Sequence, residues 1–253
     1  MVLVDAKITE FINAVLFGHH MGVVLRANGL WKVYQTSESI VEAVRGVDLE
    51  LKSGEMIAVM GPSGCGKTTL LNVLSGIDDP SAGEVNILEQ SLYGGTENQR
   101  TDLRAQHFGF IYQNFNLLPV LTAVENVELP LLLNGVLPSD ARHRSLEALT
   151  SVGLGDRSDH RPSELSGGQQ QRVAIARAIV HRPSVVLCDE PTGNLDSRTS
   201  DEVMQLISSM NENENMTFLI VTHDQRIASL CHRTIHMNDG TIIRPLPQQL
   251  EEE

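Results

Sequence analysis

A run of nine residues, Gly61-Pro62-Ser63-Gly64-Cys65-Gly66-Lys67-Thr68-Thr69, constrains this chain more than any other stretch. It follows a short apolar run, Met56–Met60, and opens a second stretch, Lys67–Leu74, with helical apolar spacing. A strand feeding a glycine loop that starts a helix lets backbone N–H groups curl around an anion. Glycine removes the Cβ that would block the approach, and the helix N-terminus adds a favourable partial charge. In that setting Lys67 is expected to reach the β- and γ-phosphates of a triphosphate, and Thr68 to offer a hydroxyl to Mg²⁺. Gly61, Ser63, Gly64, Cys65, Gly66 and Thr69 complete the cradle. A thiol at a helix N-terminus tends towards a lowered pKa, so Cys65 is expected to make the loop sensitive to oxidation.

The rest of the composition narrows the partners. At 253 residues and 27.8 kDa, with 41% hydrophobic residues, the chain suits one large domain or one domain carrying an inserted subdomain. Its net charge is 19 − 32 = −13 and its pI about 5.1. That acidity speaks against a nucleic-acid partner, which needs a basic footprint, and against adsorption to anionic lipid. Membrane contact is then expected only through a protein partner. Three scattered cysteines form neither a disulfide framework nor a metal pattern, which fits a reducing cytoplasm. No apolar stretch reaches the roughly 18–20 residues of a spanning helix. Residues 127–133, for example, are short and broken by Glu128 and Pro130.

Residues 1–21 read as an N-terminal extension ahead of a domain over 22–253. Within it, Ile8, Phe11, Ile12, Val15 and Leu16 have helical spacing, and the paired His19-His20 lacks a third ligand at a suitable spacing. Residues 23–26 and 44–51 predict antiparallel strands. Strands are also predicted at Met56–Met60, Phe108–Tyr112, 184–188, 217–221 and 234–237. Helices are predicted at Lys67–Leu74, Ala123–Leu133, 139–152 and 168–180. The alternation points to an α/β fold. It has a mixed, mainly parallel sheet around the phosphate loop, an antiparallel β subdomain, and a helical subdomain inserted over about 114–181. The end of the chain, 250–253, is acidic and expected to be solvated.

Two further groups carry chemistry. The run Val185-Val186-Leu187-Cys188-Asp189-Glu190 is a buried strand ending in two carboxylates. Beside a phosphate loop, Asp189 is the candidate Mg²⁺ group. Strand neighbours point to opposite sides, so Glu190 must sit at a turn, where it could orient or deprotonate the attacking water. The second group, Leu165-Ser166-Gly167-Gly168-Gln169, opens another helix and forms a second anion nest. One triphosphate cannot readily use both nests within a compact subunit. A symmetric dimer, each nucleotide closed over by the partner, is the simplest solution.

With these residues in place, the chain resembles the nucleotide-binding subunits of ABC transporters over nearly all of residues 22–245. The family signature is matched at Leu165-Ser166-Gly167-Gly168-Gln169. The resemblance implies ATP and Mg²⁺ as cofactors, and a homodimer sandwiching two ATP beneath integral membrane permease subunits. The protein would then sit in the cytoplasm, peripheral to the inner face of the cell membrane. It further implies that Gln113 senses Mg²⁺ and the membrane partner. Asp196, in Gly193-Asn194-Leu195-Asp196, would communicate across the dimer. His223 would contact the γ-phosphate, Ser166, Gly168 and Gln169 would close on the partner's nucleotide, and Tyr34 would stack on adenine, with Trp31 nearby as the other candidate ring.

The segments Asn114-Phe115-Asn116-Leu117-Leu118-Pro119 and Leu121-Thr122-Ala123-Val124-Glu125-Asn126-Val127 are similar to the lipoprotein-releasing and macrolide-export branch. That likeness implies an ATPase driving export or extraction of lipoprotein, peptide, lipid or drug through a separately encoded membrane protein. The competing class is a soluble or regulatory ABC-type ATPase, associated with cell division, nucleic acid or ribosomes. Against its DNA-maintenance members, Lys67 and Asp189 are 189 − 67 = 122 residues apart, with no sustained heptads between them.

Overall fold

The computed structural model describes residues 22–35 and 39–243. The amphipathic stretch within 2–17, the His19-His20 pair and the acidic end 250–253 lie outside the described residues. Two sheets organise the rest. The first is antiparallel, in the order β2-β1-β4-β5, with β1 Val23–Gln35, β2 Ile40–Lys52, β4 Ala82–Ile87 and β5 Gln90–Ser91. The second has the order β10-β9-β3-β8-β7-β6. Its strands are β3 Met56–Met60, β6 Phe108–Tyr112, β7 Val185–Asp189, β8 Phe218–Thr222, β9 Arg233–Asn238 and β10 Thr241–Ile243. All its pairings are parallel except the β9–β10 hairpin. The helices are α1 Lys67–Leu74, α2 Glu97–His107, α3 Ala123–Leu133, α4 Pro138–Ser151, α5 Gly167–Ile179, α6 Ser197–Glu214 and α7 Gln225–Ala228.

Every residue of β3 and β8 is buried, as expected for strands covered on both faces. Their side chains alternate between two cores. Ile57, Val59, Val185, Leu187, Leu219 and Val221 join the core that contains α1 and the antiparallel sheet. Met56, Val186, Cys188, Phe218 and Ile220 join the core beneath α3, α4, α5 and α6. This period-two division decides which side each strand-end residue reaches.

Helix starts are set by local chemistry. Thr96, Thr122 and Ser166 each cap a helix and pair with Gln99, Glu125 and Gln169 in reciprocal capping boxes. Buried Asn126 fixes the loop ahead of α3. Its amide accepts from Leu118 N–H and donates to the carbonyls of Leu118, Leu121 and Thr122 at 2.8–3.2 Å.

The structure lengthens the first two strands and adds β4, β5, β10 and α2 to the elements read from the sequence. The first two strands run much further than 23–26 and 44–51, because register shifts between Ala27 and Val33 let them continue through Trp31 and Tyr34. Strand β4 and helix α2 were not anticipated. No side chain of α2 is buried, so it carries no apolar periodicity to read. Its capping box holds it, together with the Arg104 guanidinium, which donates to Gly76 O at 2.7 Å.

Phe218 is completely buried between β8 and the helical core. Phe218→Ala is expected to lower the unfolding free energy by about 3–5 kcal/mol in denaturant titration. Leu133→Ala, at a position 81% exposed, should shift it by about 0.5 kcal/mol or less.

Candidate functional site

Four neighbouring parallel strands end together. The register pairs Met60 of β3 with Thr222 of β8, Val221 of β8 with Asp189 of β7, and Asp189 with Tyr112 of β6. The residues that follow, Gly61, His223, Glu190 and Gln113, therefore emerge along one edge of the sheet. Crevices outside the carboxyl ends of parallel strands are where ligands bind in open α/β folds. Adjacency of these strands is a property of topology that linear spacing does not reveal.

The glycine loop is held tightly between β2 and β9. A Cβ on Gly66, whose φ is 102°, would lie 2.0 Å from Ala43 O; one on Gly61 would lie 2.1 Å from Met237 O. Both positions exclude any larger residue. Lys67 is buried, and its ammonium donates to Gly61 O and Pro62 O at 2.8 Å each. Cys65 is also buried, though it belongs to the cavity lining.

Strand parity places Asp189 with Val185 and Leu187, on the side that carries α1. Thr68 Oγ1 donates to Asp189 Oδ2 at 3.0 Å. Burial first, then the neighbouring Glu190 carboxylate, push Asp189 above the usual carboxylate range despite the Thr68 hydrogen bond. The site therefore presents incompletely compensated negative charge beside a hydroxyl. Hard oxygen donors in that arrangement fit Mg²⁺, which takes one or two protein oxygens and fills its octahedron with water and phosphate. Among the described residues, no three His, Cys, Asp or Glu side chains group into a metal cage of their own.

Glu190 leaves the strand in the left-handed region, with φ 49°, while its N–H donates to Val221 O at 2.9 Å. A non-glycine residue held there costs about 1–2 kcal/mol. That turn carries the carboxylate away from the side Asp189 occupies and towards His223. The His223 Nδ1 lies 3.1 Å from Glu190 Oε1. With a proton on Nδ1 donated to the carboxylate, Nε2 is left free.

A cavity of about 870 Å³ lies over this edge, lined by the loop from Ser63 to Thr69, by Glu190 and by Tyr34. Trp31 is not among the lining residues and stands over Gly46 instead. The sequence reading missed a whole wall, from Ile40 to Ala43, Arg45 and the turn Asp239-Gly240. That wall is joined by Arg45 N–H donating to Gly240 O at 2.8 Å, across a sequence separation that leaves no linear signal.

Several predicted residues stand apart from the cavity. Gln113 donates from Nε2 to Asn194 Oδ1 at 3.1 Å and packs over Gly193, where a Cβ would come within 2.7 Å of that amide. Asp196 caps α6, accepting from Thr199 N–H and Oγ1 at 3.1 and 2.6 Å. Exposed Ser166 and half-buried Gly168 and Gln169 form the start of α5, and none lines the cavity.

Comparison with known proteins places this geometry. The ABC transporter family profile matches residues 44–193. The lipoprotein-releasing system ATP-binding protein LolD of Legionella pneumophila (strain Lens) is 46% identical over 220 residues, covering 87% of this chain and 97% of that protein. The macrolide export ATP-binding/permease protein MacB of Syntrophobacter fumaroxidans is 46% identical over 213 residues, 83% of this chain and 30% of its own length. A dimeric ATP-binding cassette solved in a post-hydrolysis state with ADP and phosphate superposes with a TM-score of 0.80. It is 41% identical, over 87% of this chain and 97% of that one. The cradle, the paired strand-end carboxylates and these likenesses agree, and the chain belongs to the ABC transporter family as one of its ATP-hydrolysing cassettes.

Proposed function

We propose that two copies of this chain close head to tail around two ATP molecules and drive a separately encoded integral membrane partner. One observation carries the reading above the rest: Ser166, Gly168 and Gln169, read from the sequence as a second anion nest, stand at a helix start outside the cavity of their own subunit. A second copy supplies what the first lacks. Ser166 of one copy faces Lys67 and Thr68 of the other, and Asp196 lies at the seam. The chain then works in the cytoplasm, held to the inner face of the membrane by its partner. No helix among the described residues is long and apolar enough to cross a membrane itself.

Within each site the roles divide by chemistry. The cradle N–H groups and Lys67 hold the phosphates, and Tyr34 takes the adenine. Thr68 and Asp189 would hold Mg²⁺, with Gln113 as a further oxygen donor, and the ion would supply neutralisation of phosphate charge. Glu190 accepts a proton from the water that attacks the γ-phosphorus, the bond to the β-phosphate oxygen breaks, and ADP and phosphate result. His223 holds the Glu190 carboxylate through Nδ1 and presents Nε2 to the γ-phosphate. Catalysis is mainly positioning and electrostatic stabilisation.

The likeness to LolD and MacB supports export or extraction of a lipoprotein, peptide, lipid or drug as the driven process. Gln113 and the following loop, with Leu118 and Val120 exposed, lie where the partner would be felt.

Glu190→Gln should bind ATP with near-normal affinity and hydrolyse it about 10²–10⁴ times more slowly, measured as phosphate release. Wild-type turnover would remove Glu190 from the mechanism. Capture of tagged Glu190→Gln with ATP from native membranes should recover an integral membrane protein with few spans and a large domain beyond the membrane. Recovery of ribosomal or DNA-maintenance factors instead would move the chain to the soluble class.

A further inference from the structure

The ring expected to meet the nucleobase is not free. Tyr34 sits near the end of β1 and is 39% exposed, so burial alone does not fix its orientation. Its hydroxyl donates to Asp78 Oδ2 at 2.6 Å. The other oxygen of that carboxylate accepts from Lys32 Nζ at 2.6 Å, and the same ammonium donates to Asp79 O at 2.7 Å. Lys32 Nζ lies 4.8 Å from the centre of the Tyr34 ring, a cation–π distance. Tyr34 lines the cavity, whereas Lys32 and Asp78 do not. One ring face is therefore occupied from behind by an ammonium, and the ring itself borders the nucleotide cavity.

We propose that Asp78 is a positioning residue for nucleobase recognition, its carboxylate locking the Tyr34 ring through the phenol and through Lys32. The inference rests on the reading of Tyr34 as the base-stacking ring. Asp78 is itself anchored, because its N–H donates to Asn72 O at 3.1 Å and its carbonyl accepts from Tyr93 OH at 2.8 Å. Asn72 belongs to α1, the helix whose N-terminus forms the phosphate cradle. Thr69, also in α1, lines the same cavity as Tyr34. A single helix thus sets both the phosphate cradle and the ring, which fixes the separation between them. A pre-ordered ring loses no rotamer freedom when the base arrives. Both groups keep the required protonation state near neutral pH. Burial, followed by the Asp78 hydrogen bond, raises Tyr34 above the ordinary phenol range. Asp78 lies below the ordinary carboxylate range, the hydrogen bonds from Lys32 and Tyr34 outweighing the opposing effect of burial, which is the largest single contribution.

The test compares Asp78→Ala, Tyr34→Phe, their double variant and Tyr34→Ala in the full chain. KM and kcat for ATP are measured alongside inhibition by inorganic tripolyphosphate, which has no base. Asp78→Ala and Tyr34→Phe should each raise KM for ATP about three- to tenfold, with kcat within about twofold. The double variant should be no worse than either single one, and tripolyphosphate inhibition should be unchanged. Tyr34→Phe keeps the ring, so a wild-type KM in that variant overturns the tether even if Asp78→Ala is poorly folded. Additive effects, or weakened tripolyphosphate inhibition in Asp78→Ala, overturn it as well, since they place Asp78 in general packing of the cradle. A wild-type KM in Tyr34→Ala contradicts the stacking role of Tyr34 itself, and the inference fails with it.

Discussion

The alternation of side chains along β7, held in register by β6 and β8, is the constraint on which the catalytic edge depends. Asp189 reaches Thr68 because it shares a face with Val185 and Leu187, and both of those are locked into the core around α1. A one-residue slip would direct Asp189 into the helical core and send Cys188 towards the nucleotide. The alternate face, Val186 and Cys188 against α5 and α6, prevents that slip by burying an equally apolar set on the other side. Glu190 can then serve a separate purpose only because the chain leaves the strand with φ 49°. Two carboxylates adjacent in sequence are thereby given different surroundings: one beside Thr68, the other beside His223.

The same economy governs the helices. The loop ahead of α1 contains Gly61 and Gly66, where no side chain fits, so its backbone can approach a phosphate closely. The N-terminus of α5 is closed by Ser166 and Gln169 as a capping box, with Gly167 and Gly168 following. A closed cap at an exposed helix start is stable without a ligand and remains open to one presented from outside. This pairing of an incomplete cavity with an exposed nest gives the proposed clamp its logic. Gln113, tied to Asn194 and packed on Gly193, joins the segment after β6 to the segment that runs into α6. Movement of one of those segments must disturb the other.

Much of this was legible in the chain itself, and the reasons differ by element. The phosphate loop could be read because its requirement is local: glycines, Lys67 and Thr68 lie within one turn. The buried strands and α3 to α5 were readable from their apolar runs, and their ends fell within a residue or so. Helix α2 was invisible because its stability comes from Thr96, Gln99 and arginine contacts rather than from an apolar face. Strand β4 was hidden because only Val85 and Ile87 of its six residues are buried. The cavity wall of Ala43, Arg45 and Gly240 depends on β2 meeting the β9–β10 turn, a contact between residues nearly two hundred positions apart. Choosing Tyr34 over Trp31 for the cavity likewise required the register of β1 against β2.

The central claim is that each nucleotide site is completed by a second copy of the chain. It is tested most directly by thiol cross-linking between the cradle and the α5 start. The cysteines are introduced as Ser63→Cys and Ser166→Cys in the Glu190→Gln chain, with the half-buried Cys231 replaced by Ser. Both introduced positions are exposed, and only one lines the cavity. The account predicts a covalent species of twice the chain mass that forms with ATP and not without nucleotide. Cross-linking confined to single chains, or no ATP-dependent dimer at all, would contradict it.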